Sequence, residues 1–194
     1  MPHAVPNPLP EQFQLFTFDA SWSVFYYDSK ESGYHEIRDS VPGSKSCDFI
    51  GIRNHVGYLI EGKDFRGYRI QNKARISNGE LAVEVAQKVR DTLAGIGSGV
   101  RRGDAQRPWN ELLAQRLGVA GGQVTVVLSL EDDSASQPLK WKSRLSTLAN
   151  QIKAKLDWLR VRVSVVSPQT NPGSLPGVTV SNLPGACGHA AKAP

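Results

Sequence analysis

The first half of the chain alternates short apolar runs with turn-forming residues, a pattern that is typical of an antiparallel sheet. Residues 21–28 are rich in aromatic and β-favouring types and predict a strand. Further strands are predicted at 34–38, 47–53 and 57–65, the last two joined by a hairpin turn near Asn54–Gly57. We therefore expect an antiparallel meander of about four strands.

A helical period begins after this meander. The sequence Ser77-Asn78-Gly79-Glu80 has the form of a capping box and predicts a helix start. The apolar residues that follow recur at helical spacing: Leu81, Val85, Val89, Leu93 and Ile96. Gly95 and Gly97 predict the end of this helix, with a glycine-rich basic loop over 97–103. A short helix is predicted from Pro108 to Leu117.

The second half alternates strands with a long helix. Gln123–Leu130 is almost continuously apolar, which predicts a strand buried on both faces. Pro138–Leu159 predicts a long helix with a near-heptad apolar seam, and 160–167 predicts another strand. Helices between the late strands imply crossover connections and parallel pairing.

These elements predict an α/β fold: a mixed sheet with an antiparallel meander, followed by helix, strand, helix and strand. At 194 residues the chain is long enough for one full core. We divide it into a proline-rich leader with a first element at 1–20, one α/β domain at 21–167, and a loosely ordered tail at 168–194 that is rich in proline and glycine.

Composition indicates the class of protein and the compartment in which we expect it. Apolar residues make up 40% and charged residues 21%, which is ordinary for a globular protein in water. No apolar run reaches the ~20 residues that cross a membrane, and the N-terminus lacks the features of a secretory signal. We therefore expect a cytoplasmic protein with no membrane partner, in which Cys47 and Cys187 are reduced. The net charge of +5 is compatible with a polyanionic partner without establishing one.

Candidate chemistry lies on the two strands of the predicted hairpin. The first carries Asp48 and the second carries Glu61-Gly62-Lys63. Residues two apart on a strand point to the same face, so Glu61 and Lys63 project together, and the hairpin folds Asp48 back alongside them. Two carboxylates and one ammonium at one patch suit a hard divalent cation with a positioned water. Hydrolysis of a phosphodiester is therefore our leading hypothesis.

The order of these motifs resembles a known family. A strand with Asp48, a strand with Glu61-Gly62-Lys63, an amphipathic helix and a further strand together resemble the PD-(D/E)xK nuclease superfamily, also called restriction-endonuclease-like, and especially its small uncharacterised bacterial members. The resemblance covers roughly residues 21–96. The chain departs from the motif at Cys47, which stands where the motif has proline before its aspartate, although members of the family often lack that proline.

The resemblance implies a restriction-endonuclease-like core, a nuclease activity on DNA, and Mg²⁺ or Mn²⁺ as the cofactor. It implies that Asp48, Glu61 and the Gly62 carbonyl bind the metal, and that Lys63 orients or activates the attacking water. An upstream carboxylate often completes such a site, and the sequence does not choose between Glu11, Asp28 and Glu36.

A basic segment follows Lys63 directly. We predict that it contacts nucleic acid through four residues: Arg66, Arg69, Lys73 and Arg75. The alternative is a solvated loop of ordinary charge. Arg101, Arg102 and Arg107 form a second possible contact loop. Gln87, on the predicted helix, lies away from its apolar stripe, and we exclude it from the site.

Two other functions stay open. The fold could be a catalytically inactive module that binds nucleic acid or a protein partner, or a metal-dependent hydrolase of small nucleotides. The seam of the long helix could also pack a second subunit in a homodimer, although covering the sheet is the favoured interpretation: Trp141, Leu145, Leu148, Ile152, Leu156 and Leu159.

Overall fold

A computed structural model describes residues 9–11, 13–29, 40–103, 114, 122–169 and 175–183. The strands are β1 (Leu9–Glu11), β2 (Gln14–Phe18), β3 (Ser23–Tyr26), β4 (Phe49–Arg53), β5 (Val56–Asp64), β6 (Val124–Glu131), β7 (Arg162–Val166) and β8 (Val178–Asn182). The helices are α1 (Arg69–Ser77), α2 (Glu80–Arg102) and α3 (Pro138–Lys155), with 3-10 turns at Asp133–Ser136 and Asp157–Leu159. The predicted strand at 34–38 lies outside the described residues, as does the predicted helix at 108–117 except for Ala114.

The main sheet has five strands in the order β3-β4-β5-β6-β7. Strands β3, β4 and β5 pair antiparallel, while β5 with β6 and β6 with β7 pair parallel. The predicted mixed α/β sheet and the parallel pairing of the late strands are therefore confirmed. Strand β6 is buried along nearly its whole length, as its continuous apolarity predicted.

A tight hairpin sets the register of β4 and β5. Asn54 and His55 both have positive φ, 47° and 65°, which is typical of a two-residue turn that matches strand twist. Phe49 consequently pairs with Ile60. Asp48 immediately precedes β4, so continuing the register by one step puts it beside Glu61.

One helix was not predicted, and two predictions about helix ends were wrong. The basic segment after Lys63 forms helix α1. Ser77 belongs to the end of α1, where its hydroxyl donates to the Ala74 carbonyl, and the residue before α2 is Gly79 with φ of 78°, so the capping box does not form. Helix α2 runs past Gly97 to Arg102 and ends at Gly103 with φ of 68°.

Packing explains why α2 continues through its glycines. Gly95 and Gly99 are both buried on this helix. A glycine inside a helix costs about 1 kcal/mol relative to alanine, and tertiary burial of an apolar face readily outweighs a cost of that size.

Both faces of the main sheet are covered. Helices α2 and α3 cover one face and bury residues such as Val85, Leu128 and Trp141. A second sheet, β1-β2-β8, covers the other face through an aromatic cluster that includes Phe16, Phe18, Trp22 and Phe49. The sequence analysis did not anticipate this sheet, which takes β8 from the segment that was expected to be loosely ordered.

The seam of α3 faces the core of its own chain. Five of its six residues are between 0% and 8% exposed: Trp141, Leu145, Leu148, Ile152 and Leu156. The sixth, Leu159, is partly buried against the same core. Covering the sheet is therefore what this seam does. Among the described helices, none combines the length and the apolarity that crossing a membrane requires.

Candidate functional site

The structure brings together the three side chains that the sequence singled out. Asp48 accepts a hydrogen bond from the Gly62 backbone N–H at 2.7 Å. The Lys63 ammonium lies 2.9 Å from Oε1 of Glu61. All three residues are buried, Asp48 and Glu61 almost completely. The period of β5 and the tight β4–β5 hairpin are enough to produce this arrangement.

Helix α2 adds a second lysine between the two carboxylates. The Lys88 Nζ atom lies 3.4 Å from Oδ1 of Asp48, and 2.7 and 2.8 Å from Oε1 and Oε2 of Glu61. Lys88 is itself only 8% exposed. The carboxylates of two neighbouring strands therefore converge on one cation, which here is an ammonium group.

The sequence analysis weighed Gln87 on this helix and missed Lys88. A signal was present, since Glu84, Lys88 and Thr92 are spaced by single helical turns and form a polar stripe beside the apolar one. The structure turns this stripe toward the ends of β4 and β5. Thr92 Oγ1 accepts a hydrogen bond from the Cys47 backbone N–H at 2.8 Å, next to Asp48.

The site is electrostatically coupled. Burial, and then the neighbouring charge of Glu61, raise the pKa of Asp48 well above its ordinary value. Burial by itself would lower the pKa of Lys88, but Glu61 and Asp48 outweigh it and raise that pKa. The pKa of Lys63 is raised in the same way, with Glu61 outweighing burial. Both lysines therefore carry their charge in this site at neutral pH.

An ion-pair chain leads from this site to α1. The Lys63 Nζ atom lies 3.3 Å from Oε1 of Glu84, and the Arg75 guanidinium lies 2.5 Å from Oε2 of the same carboxylate. Arg75 also donates to Asn72 Oδ1 at 2.7 Å and stacks over the Phe65 ring. Burial would raise the pKa of Glu84, but Lys63 and Arg75 lower it below its ordinary value.

Glu11 of β1 supplies a third carboxylate nearby. Its Oε2 accepts a hydrogen bond from the Tyr26 hydroxyl at 2.8 Å. Burial raises the pKa of Glu11 above its ordinary value, and the charge of Glu61 raises it further. Of the other two upstream candidates, Asp28 donates its backbone N–H to the Asp48 carbonyl at 3.3 Å, and Glu36 lies outside the described residues.

The four predicted nucleic-acid contacts differ in availability. Arg66 folds back onto Asp64 with a 2.6 Å ion pair, and Arg75 is held by Glu84. Lys73 is exposed on α1. Arg69 begins α1, where only its backbone is described. Two of the four side chains are thus engaged within the chain.

The oxygen atoms of this site are of the kind that bind a divalent metal ion. Asp48 and Glu61 supply the hard oxygen atoms that Mg²⁺ and Mn²⁺ prefer, and Mg²⁺ often takes only one or two carboxylates. Within the described residues, no group of three or more His, Cys, Asp and Glu side chains is arranged to hold a metal. The two carboxylates fit a divalent cation if Lys88 leaves the position between them.

Comparisons with known proteins add nothing to this geometry. No family model matches the chain, and no curated protein and no solved structure matches it either. The arrangement of Asp48, Glu61, Lys63 and Lys88 therefore carries the functional conclusion.

Proposed function

We propose that this chain is a metal-dependent phosphodiester hydrolase of the PD-(D/E)xK nuclease type, with a restriction-endonuclease-like core, that acts on DNA. One observation carries the proposal. Two buried carboxylates from adjacent strands, Asp48 and Glu61, converge on a single cationic group beside Lys63. Burying charged groups costs free energy, and buried carboxylates with perturbed pKa values cluster at functional sites, which supports this proposal.

In this proposal Asp48, Glu61 and the Gly62 carbonyl hold Mg²⁺ or Mn²⁺. The bound metal lowers the pKa of a water molecule and offsets charge on the scissile phosphate. Lys63 keeps its ammonium next to Glu61 and positions the water or stabilises negative charge as it develops on the phosphate. Glu84 orients Lys63 from the helix side.

Lys88 has a defined place in the same proposal. Its ammonium pairs with both carboxylates and occupies the position between them, so a divalent cation must displace it. A displaced Lys88 stays close to the site because α2 is anchored on both sides of it by buried Val85 and Val89. There it adds positive charge that favours a phosphate.

The position of Lys88 also favours a second candidate function. A tethered ammonium that already satisfies both carboxylates is a stable replacement for a metal ion. The chain would then be a catalytically inactive nuclease-fold module that binds nucleic acid or a protein partner. The two functions differ in one measurable property, which is whether Mn²⁺ binds at Asp48 and Glu61.

The decisive experiment incubates the purified protein with single-stranded, double-stranded and branched DNA and with RNA, in Mn²⁺ and in EDTA. We expect cleavage of DNA in Mn²⁺ alone. Asp48→Asn and Lys63→Ala should abolish it with unchanged circular dichroism, while Lys45→Ala, an exposed lysine before β4, should cleave normally.

Calorimetric titration with Mn²⁺ separates the two candidates. Binding that Asp48→Asn removes supports the nuclease. A folded wild-type protein that neither binds Mn²⁺ nor cleaves any of these substrates rules it out and favours the inactive module.

A further inference from the structure

A groove of about 280 Å³ lies between α1 and α3, outside the carboxylate site. Most of its accessible surface is apolar, and its polar groups come from Ser77 of α1 and from Ser143, Arg144, Thr147 and Gln151 of α3. Ile76 and Leu148 supply apolar surface. Four of the five polar residues carry a hydroxyl or a guanidinium, groups that donate hydrogen bonds to anionic oxygen atoms.

Both helices that form this groove lack acidic residues. Helix α1 carries three basic residues, Arg69, Lys73 and Arg75, and helix α3 carries five, which are Lys140, Lys142, Arg144, Lys153 and Lys155. The whole chain has 18 Asp and Glu, and none of them lies on either helix, so the charges that these two helices contribute are all positive. Arg75 and Arg144 face carboxylates of neighbouring elements, and the exposed lysines carry the remaining positive charge. A polyanion is the ligand that such a surface attracts.

The basic residues of α3 divide between its two flanks. At about 100° per residue, Lys140 lies on the same face as Arg144, Thr147 and Gln151, in line with the groove. Lys142 lies about 160° away around the helix, on the other side of the buried stripe. On α1, exposed Lys73 is one turn before Ser77. Lys73 and Lys140 thus extend the groove lining along each helix.

The groove side chains are held in place and have capacity to bind. The Arg144 guanidinium stacks over the Trp141 ring at 5.8 Å and lies 3.7 Å from Oδ2 of Asp132, with 30% of its side chain exposed. Ser143 and Thr147 are exposed. Hydroxyl, amide and guanidinium groups of this kind contact phosphate and sugar in nucleic-acid complexes.

We propose that the α1–α3 groove binds the sugar–phosphate backbone of a nucleic acid. This inference rests on the proposed function only for the identity of the ligand, because groove binding requires no metal. The groove adjoins the carboxylate site through α1, where Arg75 contacts Glu84 and the next residue, Ile76, lines the groove. The main contact surface therefore lies on α3, beyond the basic segment that the sequence indicated.

The test measures fluorescence anisotropy of labelled single-stranded and double-stranded DNA with the full chain in EDTA, so that cleavage plays no part. Lys140→Gln should weaken binding uniformly across sequences and reduce the slope of log K against log salt by about 1. Lys142→Gln is the matched control, with the same charge change two positions away, and should bind as the wild type does. Equal effects of the two substitutions would overturn the proposal.

A second pair guards against an effect of net charge alone. Ser143→Glu puts a carboxylate into the groove and should weaken binding about tenfold, a cost of about 1.4 kcal/mol. Ser146→Glu makes the same change about 60° further around the helix, at a position that does not line the groove, and should weaken binding less than Ser143→Glu does. Both positions are exposed on α3, and glutamate is a good helix former, so both variants should fold.

The outcomes separate this inference from the proposed function. Tight DNA binding through the groove without cleavage in Mn²⁺ refutes the proposed nuclease activity and supports the proposed groove binding. Cleavage that Asp48→Asn abolishes, with Ser143→Glu and Ser146→Glu binding equally well, refutes the groove alone. Binding of inorganic phosphate without any binding of DNA or RNA also overturns the groove proposal.

Discussion

The ammonium of Lys88 lies 2.7 Å from Oε1 of Glu61, although the two residues are 27 positions apart and belong to a helix and a strand. The same ammonium faces Asp48 at 3.4 Å. Because all three groups are buried, each charge depends on the others for compensation. This relationship makes Lys88 the most informative residue to change.

Lys88→Met should strongly destabilise the protein when no metal is present. Removing one partner from a buried ion pair costs roughly 3–5 kcal/mol of stability, because the charge of the other partner is then left uncompensated. Chemical denaturation followed by circular dichroism measures the free energy of unfolding. Lys73→Met, an exposed lysine on α1, is the control and should change it little.

The response of Lys88→Met to Mn²⁺ shows whether Lys88 occupies a position that a divalent cation can also occupy. If Asp48 and Glu61 bind a divalent cation, Mn²⁺ should raise the Tm of Lys88→Met more than that of the wild type, since the competing ammonium is gone. An unfolding free energy unchanged by Lys88→Met would contradict the buried pairing itself.

Glu84→Gln should destabilise the protein by about 1–2 kcal/mol at neutral pH, because it removes charge-assisted contacts with Lys63 and Arg75 that are partly exposed to solvent. The pKa of Glu84 is lowered in the folded state, from an ordinary value of 4.5. Its stabilising effect is therefore present above that value and is lost as pH falls through the lowered pKa.

Thermal unfolding of the wild type and Glu84→Gln across acid and neutral pH checks this prediction. The two melting temperatures should converge in acid. A difference between wild type and Glu84→Gln that is constant with pH would show that the carboxylate charge is not the cause.

The effect of Glu131→Gln on stability should depend on pH in the opposite sense to that of Glu84→Gln. Glu131 is buried at the end of β6, and burial is the main reason that its pKa is raised above the ordinary value of 4.5. Its charged form is therefore less favourable in the folded protein than in the unfolded chain. The wild type should lose stability as pH rises above 4.5 until the raised pKa is passed, and the amide variant should not.

Melting temperatures of Glu131→Gln and wild type against pH test this sign. The amide oxygen can still accept from the Ser167 hydroxyl and the Gln169 N–H, which the carboxylate accepts now. We expect the melting temperature of the variant to rise relative to that of the wild type as pH rises. A variant that becomes relatively less stable at high pH would contradict this account of the Glu131 pKa.

A pair of glycine substitutions tests the local packing. A Cβ at Gly62 would lie 3.3 Å from Cγ of Glu11 and from the Phe16 ring, so Gly62→Ala should cost about 1–3 kcal/mol. A Cβ at Gly97 would meet nothing within 4 Å, and this residue is helical, so Gly97→Ala should stabilise by about 0.5–1 kcal/mol. Urea unfolding measures both, and destabilisation by Gly97→Ala would contradict the extension of α2 to Arg102.

Much of the main sheet follows from local sequence patterns. Strand period, the two-residue turn at Asn54 and His55, and the continuous apolarity of β6 each depend on residues close together in the chain. The meeting of Asp48 with Glu61 and Lys63 could be predicted for the same reason, since a tight hairpin and a period of two determine it.

Other features depend on long-range packing. Residues 77–80 match a capping box in sequence. In the structure, however, α1 continues to Ser77, so this residue ends one helix and does not cap the next. The pairing of β2 with β8 joins segments more than 150 positions apart, for which no local period exists.

The sequence by itself determined the strands of the main sheet, the register of the β4–β5 hairpin and the carboxylates that meet there. Tertiary structure decided which cation compensates those carboxylates, by laying the Glu84–Lys88–Thr92 stripe of α2 against them and placing Glu11 of β1 nearby. The physical reason is that local periodicity determines which face of a helix or strand a residue lies on. The packing of whole elements against one another determines which side chains contact that face.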